Sequence, residues 1–73
     1  MNLYSLLSIL RAVAPHTLAY VYEAYDGGMD CIDAGELEGL KVQRCAGRAV
    51  LSARPEFFPD QGRRGIEIVV EGE

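Results

Sequence analysis

The run LYSLLSILRAV, residues 3–13, constrains this chain more than any other stretch. At about 100° per residue, Leu3, Leu6, Leu7, Leu10 and Val13 fall on one side of a helix, with Tyr4, Ser5, Ser8 and Arg11 on the other. Ile9 borders the apolar side and widens it. Such a stripe has to be covered, by a sheet of the same chain or by another chain. Asn2 is placed to cap the first turn and Pro15 to end the helix.

The rest of the sequence supplies a sheet. TLAYVYEAY, residues 17–25, is rich in aromatic and β-branched residues, and the Asp26-Gly27-Gly28 turn signal predicts a hairpin with a short strand over residues 29–32. Two inward-facing sets are possible on the first strand, Leu18, Tyr20, Tyr22 and Ala24 or Ala19, Val21, Glu23 and Tyr25. The first is expected to face the core, because the second would bury Glu23. Asp33 and Glu36 have the spacing of a capping box, which predicts a short helix with Leu37 and Leu40 on its apolar side. KVQRC and RAVLSAR around an Ala46-Gly47 turn predict a second hairpin. Pro55 and Pro59 then bracket a loop carrying Phe57 and Phe58, and Ile66, Ile68 and Val70 alternate with Glu67, Val69 and Glu71 in a last strand. The expected fold is a single α+β domain spanning residues 1–73, in the order α-β-β-α-β-β-β, with an antiparallel sheet and the N-terminal helix on one face.

With 73 residues, such a core supplies only about 3–5 kcal/mol net, which makes a partner subunit, a homodimer, an expectation in itself. A net charge of −4 disfavours nucleic acid and anionic membranes as partners. The N-terminal apolar run is shorter than a membrane span and Arg11 interrupts it, so a cytosolic chain without a membrane segment is expected. Cys31 and Cys45 are too few for a disulfide scaffold and read as free thiols.

Six acids and no base lie between Glu23 and Glu38. A calcium loop starting at Asp26 fails, because its third, sixth and twelfth positions would be Gly28, Cys31 and Leu37. Asp26, Asp30 and Asp33 read as turn, surface and cap residues before they read as ligands, and no metal or cofactor is expected. His16, the only histidine, has no spaced nucleophile or third group, so no catalytic set is expected either. Lys41, Arg44, Arg48 and Arg54 form a basic segment that either balances the acidic one across neighbouring strands or adds to an association surface. Of the adjacent Phe57 and Phe58, one is expected to plug the core while the other contacts a partner.

The first helix LYSLLSILRAV, the strand ending in an acidic turn, AGELEGL and the terminal IEIVV resemble small prophage-encoded or mobile-element accessory proteins of bacteria. That resemblance implies no particular site residue. The resulting expectation is a non-enzymatic protein-interaction module that self-associates through the first helix or a free strand edge. Its contact residues would be Asp26, Asp30, Glu36, Glu38, Phe57 and Phe58. The alternative is an acidic inhibitor of a nucleic-acid-binding host complex, a nucleic-acid mimic of the anti-CRISPR type using Asp26, Asp30, Asp33, Glu36 and Glu38.

Overall fold

The computed structural model describes residues 1–72. Helix α1, Leu3–Val13, starts where Asn2 predicts, with the Ser5 amide donating to Asn2 Oδ1 at 2.9 Å. Two more first-turn amides, those of Leu3 and Tyr4, donate to the carbonyls of Arg48 and Ala46, so the helix start is sewn onto a distant loop. Its other end is tied by Arg11, whose guanidinium donates to the Leu37 carbonyl at 2.7 Å and the Leu40 carbonyl at 2.9 Å.

Four strands follow: β1 (Leu18–Tyr25), β2 (Gly28–Glu36), β3 (Val50–Phe58) and β4 (Arg63–Glu71). Asp26 and Gly27 make the two-residue turn of the β1–β2 hairpin, as expected from the Asp-Gly step. The sheet order is β2-β1-β4-β3. Two antiparallel hairpins therefore lie side by side, and their inner strands β1 and β4 run parallel. The sheet is mixed, which corrects the expected all-antiparallel arrangement and the expected five strands. Turn signals foretell hairpins, but the way two hairpins dock depends on contacts far apart in sequence.

The segment joining the hairpins also departs from expectation. β2 runs on through Asp33 to Glu36, and only a 3-10 turn, Leu37–Gly39, stands where a capped helix was predicted. Asp33 instead accepts from the amides of Ala34 and Lys41, at 2.9 and 2.8 Å, and Glu36 makes no capping bond. The glycines at 35 and 39 leave so short a helix little propensity to form. KVQRC is not a strand; it holds a second 3-10 turn, Gln43–Cys45. The second hairpin is β3–β4, closed by a turn in which Gly62 takes a φ of 63° that favours glycine.

Beneath α1 lies the core: Leu3 and Leu7 from the helix, Ala19 and Val21 from β1, Ile68 and Val70 from β4, and Leu37, Leu40, Val42 and Cys45 from the connecting segment. β4 thus alternates as expected, except that Val69 is also buried, on the opposite face. β1 uses the set that was not expected. Ala19, Val21 and Glu23 lie under the helix, while Tyr20 and Tyr22 are half-buried on the far face of the sheet. Among the described residues no helix is long and apolar enough to cross a membrane.

Candidate interaction surface and charged clusters

The connecting segment explains what α1 leaves uncovered. It packs on one flank of the helix, so Leu3 and Leu7 are enclosed. The other flank faces β3, where none of the described residues closes over the top. Leu6 and Leu10 of α1, Ala53, Arg54 and Pro55 of β3 and Ile66 of β4 line a groove of about 420 Å³ there. Along the helix, Leu6, Ile9, Leu10 and Val13 form an i, i+3, i+4, i+7 stripe, and Ile9 and Val13 are 54% and 74% exposed. Val13 was expected in the buried stripe and is instead exposed. Arg11 carries the only charge on α1, and its guanidinium is turned to the connecting segment. The exposed stripe is therefore both apolar and uncharged.

Phe57 and Phe58 lie in β3 rather than in a loop. Successive strand residues point to opposite faces, so one ring is buried and the other exposed. Phe58, however, is buried against Tyr20 on the far face of the sheet and not, as expected, in the core beneath α1. Phe58 is 7% exposed and Phe57 53%. Phe58 stacks on Tyr20 with ring centroids 4.2 Å apart. It lies over Gly65, where an added Cβ would strike the Leu18 carbonyl and the Phe58 ring. Phe57 lies two residues beyond Pro55 on the same strand and so on the helix-side face of the sheet.

The acids do not form one patch. Asp26 and Asp30 are exposed at the hairpin end of β2, whereas Glu36 ends that strand roughly 20 Å away by strand rise. Glu23 is 4% exposed and belongs to the interior. Its Oε1 accepts from Arg44 at 3.0 Å and its Oε2 from Arg48 at 2.8 Å. These two cations, 21 and 25 residues further along the chain, remove the objection to burying Glu23. Part of the basic segment thus neutralises part of the acidic one. Arg54 likewise pairs with Glu67 across β3 and β4 at 3.1 Å.

The second cluster was not foreseen. His16, in the turn before β1, has its Nδ1 3.1 Å from Glu36 Oε1 and 3.4 Å from Glu38 Oε1. All three side chains are exposed, and their ligand-type atoms lie within 4.8 Å of one another. The hydrogen bond with Glu36 holds the imidazole pKa above its ordinary value, and the charges of Glu38 and Glu36 add to this. Two backbone bonds set the register: the Leu37 amide donates to the Thr17 carbonyl and the Glu38 amide to the Pro15 carbonyl, each at 3.0 Å. The Arg63 guanidinium holds the His16 carbonyl at 3.2 Å. The glutamates at i and i+2 were visible in sequence. Their meeting with His16 was not, because it follows from the β1–β2 register.

Both thiols are free, Cys31 exposed and Cys45 buried. Burial pushes the Cys45 thiol pKa up, and the nearby Glu23 charge adds to this. The chain matches no protein-family model, no curated protein and no solved structure.

Proposed function

We propose that the chain is a non-enzymatic, cytosolic protein-interaction module whose working unit is two copies joined through the α1–β3 face. The observation that carries this reading is the groove of Leu6, Leu10, Ala53, Pro55 and Ile66, with Arg54 at its wall paired to Glu67, and the exposed Ile9 and Val13 beside it. A continuous apolar surface of this kind marks an association site.

A second copy is the occupant the surface suits. Ridge and groove lie side by side, so a two-fold axis lets the Ile9–Val13 ridge of each copy enter the groove of the other. Antiparallel α1 helices would oppose their dipoles favourably. With Arg11 turned to the Leu37 and Leu40 carbonyls, two helices meet without facing like charges. The strand edges are poorer sites. Pro55 lies on β3, and β2 carries Asp30, Asp33, two glycines and an irregularity opposite Val21 and Tyr22, all features that discourage edge pairing.

The nucleic-acid mimic is less well supported, since Asp33, Glu36 and Glu38 are engaged within the chain. Light scattering tests the proposal. The wild-type chain is expected at twice its chain mass, and Ile9→Glu with Val13→Glu at the mass of one chain with an unchanged circular dichroism spectrum. A wild-type chain that stays single at millimolar concentration overturns the reading and leaves the groove to a different protein.

A further inference from the structure

We propose that His16, Glu36 and Glu38 bind one divalent transition-metal ion of the zinc type, with a coordination position left open to solvent. This site lies away from the groove and does not depend on the association proposed above. Four-coordinate zinc, with bonds of about 2.0–2.1 Å, separates its ligand atoms by about 3.3 Å. The His16 Nδ1 distances to Glu36 and Glu38, 3.1 and 3.4 Å, bracket that value, and all three ligand atoms lie within 4.8 Å of one another, so a small side-chain adjustment of the glutamates completes the set.

The chemistry of the set points the same way. One N–H can serve one carboxylate, yet two converge on the same ring nitrogen. A divalent ion satisfies all three groups at once, its two charges balancing the two glutamates. On binding, Nδ1 gives its proton to water and donates its lone pair to the metal. A mixed nitrogen and carboxylate set suits zinc, cobalt or nickel, whereas calcium and magnesium prefer oxygen alone. The site is also prepared by the backbone, because the Pro15 and Thr17 carbonyls on either side of His16 are bonded to the Glu38 and Leu37 amides.

The test is a calorimetric titration with zinc chloride, followed by mapping of amide chemical shifts, on the chain carrying Cys31→Ser to remove the exposed thiol. One ion per chain is expected, with shifts centred on residues 15–17 and 36–38. His16→Ala, and Glu36→Gln combined with Glu38→Gln, should each weaken binding by about tenfold or more. All three side chains are on the surface, so circular dichroism should not change. Absence of binding, equal affinity in the variants, or shifts centred on Asp26, Asp30 and Asp33 would each overturn the proposal.

Discussion

Two sets of carboxylates flank β1, and they behave in opposite ways. At its C-terminal end Glu23 is buried and clasped by Arg44 and Arg48. Before its N-terminal end His16 meets Glu36 and Glu38 in the open. Taking a charge out of water costs several kcal/mol, so the first set exists only because its partners are in place. The second stays solvated, contributes little to folding and keeps its ligand atoms accessible. Burial, rather than charge, separates an acid that holds the fold together from one that can meet a solute.

The sharpest way to break this contrast is to remove both cations. Arg44→Ala with Arg48→Ala leaves Glu23 uncompensated and should cost about 3–5 kcal/mol, which is comparable to the whole stability of a chain this small. Urea denaturation should find the double variant largely unfolded. The two arginines are not equal, because the Arg44 side chain is far more exposed than that of Arg48. Arg48→Ala alone should cost about 2–3 kcal/mol and Arg44→Ala under about 1 kcal/mol. Glu23→Met removes the buried carboxylate but leaves Arg48, whose side chain is only 22% exposed, without that partner, so it should cost less than the double arginine variant without being neutral. A double arginine variant as stable as wild type would mean that Glu23 is hydrated, and the contrast would fail.

Glu23 also marks where the sequence stops being legible. α1, its Asn2 cap, the Asp26-Gly27 hairpin and the alternation of Ile66, Ile68 and Val70 rest on neighbours close in the chain, and each is present in the structure. The inward face of β1 depends on cations more than 20 residues away, and no local pattern reveals them. The same holds for the His16 cluster, which needs the pairing of Leu18 with Glu36. The Asp33–Glu36 capping box failed for a related reason. Its motif is local, but β2 pairs with β1 along that length, and ladder hydrogen bonds outweigh a weak helix start. Of the expected contact residues, Phe57 and Phe58 divide as strand alternation dictates, and the acids divide by location. The groove was half-visible, in the breadth that Ile9 gives the apolar stripe.

A smaller effect comes from alkaline pH. Burial pushes the Cys45 thiol and the Tyr22 phenol above their ordinary pKa values, with neighbouring acids adding to the shift. A pKa raised by folding means that the native state holds its proton more tightly. The associated stability is complete below the ordinary range and is lost as pH rises through the native values. The urea midpoint should therefore fall above about pH 9, and Cys45→Ala with Tyr22→Phe should flatten that fall. A midpoint that rises with pH in this range would contradict the assigned environments.

The thiols sharpen the contrast between buried and open groups further. Cys31 and Cys45 both have raised pKa values, chiefly from burial of the thiol, so each should alkylate more slowly at neutral pH than in the unfolded chain. Their accessibility still differs, with Cys31 exposed and Cys45 enclosed in the core. Iodoacetamide followed by peptide mass mapping should modify Cys31 first and Cys45 only on the timescale of unfolding. Equal rates would mean that the core opens locally at the Gln43–Cys45 turn.

The least effect on folding is expected from the set most open to chemistry. His16→Ala deletes a side chain that is 73% exposed, and Glu36 and Glu38 then return to full hydration. The strand register is held by the backbone bonds from Leu37 to Thr17 and from Glu38 to Pro15, and these do not need the imidazole. The urea midpoint should therefore match wild type in metal-free buffer. Zinc should raise the wild-type midpoint and leave that of His16→Ala unchanged, because an ion that binds only the folded state stabilises it by mass action. If His16→Ala lowers the metal-free midpoint as far as Arg48→Ala does, the exposed cluster is a structural tie of the same kind as the buried one, and burial no longer separates them.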